Sequence, residues 1–369
     1  MKKIVFPAIG FLMMACSHHP QEPGLKMIVG TYTDTGSYGL YSFNFNEEEA
    51  SFDLLDSCKL VNPSYFTFSD GKDIIYSVCE LDNGEAAVVA LNFAPESGKF
   101  DIINSEKTDG ANPCYIATNG KVVVTANYGG SMSVFPIMEN GGVAPLSQLF
   151  EGSVGGPDSI RQNTPHVHCT EFSVDRNHLF VSDFSADRLL VYKVEEEGSQ
   201  IVPLVTDSDH QLAVELDPDY GPRHIVFDKS GKHAYVIGEL SGTISVMDID
   251  GDNIKIKQVI PTDSINARGS SDIHISPDGR FVYASNRLEH DGIAIFKVNA
   301  INGELTQVGY ALTGIHPRNF AITPNGKYLL CACRDTNEIQ IFKIDNETGL
   351  LDNTGNTIKL KKPVCIKFL

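Results

Sequence analysis

No segment of this chain keeps a 3.6-residue apolar period long enough to make an amphipathic helix, which excludes bundles and alternating helix–strand folds. Positive charge is scarce as well: 29 Lys and Arg stand against 47 Asp and Glu, a formal charge of -18. A surface of that sign repels phosphate backbones and anionic lipid, so nucleic acid is excluded as a partner. A bilayer could then hold the protein only through a covalent anchor. Catalytic templates of fixed spacing are missing: there is no Gly-x-Ser-x-Gly elbow, no glycine-rich phosphate loop ahead of a lysine and no His-Glu-x-x-His. Cys-x-x-Cys and Cys/His zinc spacings are missing too, so no cofactor and no metal are expected.

The one long apolar run, IVFPAIGFLMMA (4–15), follows Lys2 and Lys3 and is too short to cross a bilayer. A basic start, a short apolar core and small Ala15 before Cys16 have the form of an export signal. A cysteine at that place resembles the lipobox of bacterial lipoproteins, whose thiol is lipidated and becomes the new N-terminus. The expectation is a leader over 1–15, a lipidated Cys16, a polar tether over 16–26 and a folded domain over 27–369. Such a protein belongs in the cell envelope, periplasmic or anchored to the outer membrane, with a cytoplasmic protein as the alternative. The other seven of the eight cysteines lie mostly in apolar runs such as YLLCAC (328–333) and PVCIKF (363–368). They read as small buried hydrophobes rather than a disulfide framework.

What the chain does have is self-similarity, with a period of roughly 50 residues. Units start at 62, 112, 164, 220, 271 and 316, each with a polar or proline-bearing start, an alternating strand, a turn and further strands. Ser-Asp-Gly at 69–71, Pro-Asp-Gly at 277–279 and Pro-Asn-Gly at 324–326 place glycine where a tight hairpin needs positive φ. The ends make one more unit, with 27–45 supplying its second and third strands and 363–369 its first. The expected fold is all-β, a seven-bladed β-propeller closed by pairing both termini in one blade, which removes the free sheet edge.

Strands in a blade run antiparallel outward from the axis, so the start of strand one and the end of strand two share one end of the channel. Unusual polar residues fall at those two places. His166 and His168, Arg223 and His224, Asp272 and His274, and His316 and Arg318 sit at strand-one starts. Glu80, Asn127 with Tyr128, Asp183, Glu239, and Asn286 with Arg287 sit at strand-two ends. Such positions in successive blades form a ring, and the ring marks a site at the channel mouth. His166 and His168 have the spacing of two metal ligands but lack an obvious third, and His274 reads as structural. Arg223 and Arg318 share a Pro-Arg context that suits either a bridge between blades or an anion clamp. Glu80 and Glu239 either pair with arginine or act as acid or base.

NPSY (62–65), ANYGG (126–130), PHVH (165–168), GPRH (221–224), GEL (238–240), SPDGRFVYASNR (276–287) and HPR (316–318) together resemble the seven-bladed lactonase family. That family includes the propeller-type 6-phosphogluconolactonases and the carboxy-cis,cis-muconate cyclases. The resemblance runs from IVGTYT (28–33) to PVCIKF (363–368). It implies a metal-independent hydrolase of a sugar-derived lactone or related anion, with His166, Glu239, Arg223 and Arg287 as the catalytic set. Opening a lactone needs a base for water, a cation for the tetrahedral oxyanion and a clamp for an anionic group. His166 or Glu239 would be the base, and Arg223 and Arg287 would hold anionic oxygens. His168, His224, Arg318, Asn127, Tyr128, Asp183 and Glu80 would line the binding site. A muconate-type cycloisomerase, or a propeller that binds carbohydrate or protein without turnover, uses the same mouth and stays open as an alternative. The chain carries no interface signal, so a monomer or weak homo-oligomer is expected.

Overall fold

Alternating Val, Ile, Tyr and Phe in each internal repeat form an antiparallel meander, and seven such sheets surround a channel in a seven-bladed β-propeller. The computed structural model describes residues 24–195, 198–205 and 210–369; the leader and Cys16 lie outside the described residues. Blade 1 joins the two ends of the chain. Its innermost strand, Pro363–Phe368, pairs antiparallel with Leu25–Thr31, followed outward by Gly39–Asn46 and Ser51–Lys59. This strand begins at Leu25, two residues ahead of the expected domain start. The six internal units are blades 2 to 7 in chain order. In blade 4 the outer edge is split, Ile201–Pro203 and Ala213–Glu215 both pairing with Arg188–Val194.

Burial explains the composition of the layers. Second strands such as Val122–Asn127, Phe281–Asn286 and Tyr328–Cys333 are buried along their whole length, because both faces pack against neighbouring blades. Outermost strands such as Lys99–Lys107 and Asn253–Pro261 alternate with solvent and carry the charge. The closing strand follows the same rule: Val364, Cys365 and Ile366 are buried, each large apolar side chain contributing about 1.5–3 kcal/mol. Hairpin turns at Gly279 and Gly326 take the positive φ expected of them. In blade 2 the left-handed residue is Lys72 rather than Gly71, because that turn closes from Lys72 N–H to the carbonyl of Ser69. The 3₁₀ turn Phe184–Ala186 is the helical element among the described residues.

Candidate active site

Two layers of side chains encircle one end of the channel, one residue per blade in each. The upper layer is Tyr32, Glu80, Tyr128, Phe184, Glu239, Arg287 and Arg334. Their backbone N–H groups donate to the carbonyls of Lys362, Asn62, Asn112, His166, Gly221, Gly269 and His316 at 2.8–3.0 Å. Asn62, Asn112, Gly221, His316 and Lys362 adopt positive φ to turn that carbonyl inward, which Asn and Gly do at low cost. This is the local reason for the Asn-Pro and Gly-Pro starts. The lower layer follows one step along strand one: Ser64, Cys114, His168, Arg223, Ser271, Arg318 and Val364. The ladder skips Cys114, His168, Arg318 and Val364, each an extra residue opposite the partner strand. Arg223 and Ser271 fall in similar irregularities. A bulge re-aims a side chain, here into the channel.

Between the layers lies a cavity of about 230 Å³ lined by Tyr32, Glu80, Cys114, Tyr128, Arg161, His168, Glu239 and Arg318. Glu239 is its electrostatic centre. Its Oε1 accepts from Arg161 Nη2 at 2.5 Å, and its Oε2 meets Arg223 Nε at 2.9 Å and Arg287 Nη2 at 3.0 Å. Burial alone would raise its pKa, but the three guanidiniums outweigh burial and hold the carboxyl at about 2. Arg287 is nearly buried, and burial brings its pKa down to about 9 despite Glu239. Arg318 is placed differently. Its side-chain partners are Glu80, at 4.0 Å, and the face of Tyr32, 5.5 Å from the ring centre. Its N–H groups thus face the cavity with little to satisfy them. Glu80 is held from its other side by Tyr32, whose hydroxyl lies 3.0 Å from both carboxylate oxygens. Four guanidiniums here face two carboxylates, a positive pocket inside an acidic protein.

Burial disfavours the charged form of the two imidazoles nearest the cavity, His168 and His166. His168 is buried, and burial first, then the charge of Arg223, pushes its pKa well below 6.5. His166 is half-buried at the rim and stacks on Tyr128 at 4.1 Å between ring centres. Its pKa is lowered by burial, against the opposing pull of its bond to the Tyr128 carbonyl. That bond, 2.5 Å from Nδ1, fixes the proton on Nδ1 and leaves the Nε2 lone pair for Thr164 Oγ1, 3.3 Å away, or for another donor.

The profile of the family described as "Lactonase, 7-bladed beta-propeller" matches residues 26–368. The chain belongs to that family. It is 35% identical to the 6-phosphogluconolactonase of Bacillus subtilis over 352 residues, 92% of this chain and 97% of that one. Its fold superposes with a TM-score of 0.91 on a candidate 6-phosphogluconolactonase from Bacteroides uniformis, 49% identical and covering 94% of this chain and 100% of that one. The periplasmic gluconolactonase of Pseudomonas aeruginosa is similar at a TM-score of 0.87 and 28% identity, covering 94% and 99%.

Within this lactonase-family propeller, His168, Tyr128, Glu80, Glu239 and Arg318 line the cavity, with Arg223 and Arg287 directly behind Glu239 and His166 at the rim. Three residues expected at the site lie elsewhere. Asn127 is buried among Ser131 and Ser133, 3.0 and 2.8 Å away. Asp183 is buried against Ser153 Oγ at 2.5 Å and Arg188 Nε at 3.3 Å. Both are the last paired residues of their second strands, and the pleat turns them away from the face of the next residue, Tyr128 or Phe184. His224 lies below the site. It donates from Nδ1 to Asp272 at 2.7 Å, and its Nε2 accepts from Arg223 Nη1 at 3.2 Å, so it steadies Arg223 from beneath. Burial, then Arg223, lowers its pKa to about 3. It lines a separate cavity of about 420 Å³ at the other end of the channel, as does His274, which bonds Asp272 at 2.9 Å.

Sequence reasoning missed Tyr32, Cys114 and Arg161. Tyr32 and Cys114 occupy the same columns as Glu239 and Arg223, and a strict column alignment of the seven repeats reveals them. Cys114 is one of the buried thiols, its pKa pushed up to about 12 by burial, but it faces the cavity. Arg161 belongs to no column. Its signal is the length of the connection from Glu151 to Val167, well beyond an ordinary blade-to-blade loop.

Proposed function

We propose that this protein hydrolyses a sugar-derived lactone in the cavity around Arg318 and Glu239. The observation that carries the reading is a mostly buried guanidinium, Arg318, whose one carboxylate contact is a loose 4.0 Å from Glu80 and which faces the same cavity as the neutral imidazole of His168. Family membership and the names of the similar proteins support the same substrate class. The lactone carbonyl oxygen accepts from Arg318, which steadies the oxyanion as water attacks. His166 Nε2 takes the proton from that water. The ring oxygen then leaves, taking that proton back from His166 Nε2, and the open hydroxy acid is released. Glu239, held at about 2, is too weak a base for this step; it fixes Arg223, Arg287 and Arg161 instead. No cofactor enters this scheme.

The test is acid release in a pH-stat from glucono-δ-lactone and 6-phosphoglucono-δ-lactone by the purified protein. Because the His166 pKa lies below 6.5, the enzymatic rate is expected to fall as pH drops through a midpoint under that value and to stay level above it. His166→Gln is expected to lower kcat by about 10²-fold or more and to abolish that acid limb. Rates equal to buffer for every lactone would end the hydrolase reading. An intact acid limb in His166→Gln would move the base elsewhere.

We further propose that the mature protein is an envelope lipoprotein anchored through Cys16, supported by the leader-like 1–15 segment and by the periplasmic location in the name of one similar protein. Fractionation is expected to place the wild type with membranes and Cys16→Ala in a soluble fraction. Equal cytosolic recovery of the two would overturn the anchor.

A further inference from the structure

We infer that Arg161 reads an anionic substituent on the substrate, a phosphate or a carboxylate, and that Arg268 is the positioning residue that holds it over the cavity. This rests on the lactone-hydrolase reading above and adds a specificity determinant to it. Arg223 and Arg287 cannot reach a group at the rim, being 1% and 5% exposed and committed to Glu239 from behind. Arg161 stands in front. Its side chain is 35% exposed, it touches Glu239 with one terminal nitrogen, and its guanidinium carbon lies 5.7 Å from the centre of the Phe184 ring. A guanidinium has five donors in a planar fork, so an incoming anion finds donors to spare. Glu239 keeps two other arginines when Arg161 turns to the substrate.

The segment that carries Arg161 is tied down at three points, none of them in the cavity. Gly156 N–H donates to the carbonyl of Ser185 at 2.8 Å. Gln162, buried, donates to the carbonyl of Phe184 at 3.1 Å and to Asp187 at 2.6 Å. The Gln162 amide packs so tightly on Gly156 that a Cβ there would lie 2.1–2.3 Å from its atoms. The third tie is electrostatic. Asp158 Oδ1 accepts the backbone N–H of Ile160 and of Arg161, both at 2.9 Å, and so shapes the turn that presents Arg161. Its other oxygen is held by Arg268 Nη2 at 2.6 Å, while Arg268 also grips Asp219 at 2.5 and 2.7 Å. Arg268 stands just ahead of blade 6 and Asp219 just ahead of blade 5, so two other blade connections hold the strap. A loop anchored so heavily, yet ending in a half-exposed cation over a positive cavity, is built to present that cation.

The experiment compares kcat/KM in matched pairs: 6-phosphoglucono-δ-lactone against glucono-δ-lactone, and glucaro-1,4-lactone against glucono-1,4-lactone. Wild type is expected to prefer at least one anionic member, and the pair that shows the preference tells phosphate from carboxylate. Arg161→Gln is expected to lower that preference ratio about 10- to 100-fold, the worth of a charge-assisted hydrogen bond, with Arg161→Lys recovering part of it. Arg268→Gln is expected to raise KM for the anionic lactone about 5-fold with kcat little changed, and Arg268→Lys to restore it. A ratio that Arg161→Gln leaves within twofold of wild type, or a wild type without preference in either pair, overturns the inference. If no lactone is turned over, the hydrolase reading falls separately, and calorimetric binding of 6-phosphogluconate against gluconate decides the Arg161 inference. Loss of the difference in Arg161→Gln supports it; equal binding of the two acids by wild type overturns it.

Discussion

Glu239→Ala is expected to destabilise the fold by about 3–5 kcal/mol and to lower kcat/KM by about 10²–10³-fold. The carboxylate is buried with two buried guanidiniums and one half-exposed guanidinium upon it. Removing it leaves like charges facing one another in a region of weak screening, which is far costlier than losing an exposed ion pair. The rate falls because Arg223 and Arg287 lose the partner that fixes them beside the cavity. Glu239→Gln separates charge from shape. It keeps one acceptor oxygen and the side-chain volume, so a Gln variant nearly as impaired as Ala would assign the effect to charge. Denaturant unfolding and steady-state kinetics on the same preparations measure both quantities. A stability change under about 1 kcal/mol would mean that the arginines find other partners, and the central place given to Glu239 would be wrong.

Arg318→Met is expected to cost far less stability. The guanidinium is mostly buried, its side chain 15% exposed, and its carboxylate partner, Glu80, is 4.0 Å away and already held by Tyr32. Burial disfavours the cation, but Tyr32, Glu80 and Glu239 outweigh it, so replacement by an apolar chain of similar length should be close to neutral. Turnover should fall by about 10²–10³-fold in kcat, because the oxyanion loses its donor. Arg318→Lys restores charge without the planar fork and should recover only part of that loss. A variant that is both destabilised and fully active would reverse the assignment and make Arg318 a structural bridge between blades.

Both predictions depend on which way side chains point, and that was only partly legible in the repeats. The Pro-bearing strand starts and the strand-two ends correctly indicated the end of the channel where polar groups gather. They did not tell Asn127 from Tyr128, or Asp183 from Phe184, because neighbours on a strand face opposite ways and one residue of register decides between them. Register at the mouth is set by the bulges at Cys114, His168, Arg318 and Val364, which depend on how each strand meets its partner. His224 shows the same limit: one residue past Arg223, it already belongs to the next layer down, with Asp272.

The sequence by itself determined the period, the all-β class, the closure of blade 1 by both termini and the columns from which the site is drawn. Those are properties of local alternation and of repeat position, which a linear chain carries openly. Only the tertiary structure decided the role of Glu239, whose acidity is set by arginines from three different segments, and the identity of Arg161, which reaches the cavity from a connection outside the repeat. Charge strength and access in a pocket are sums over groups distant in the chain, and folding is what brings those groups within a few ångströms.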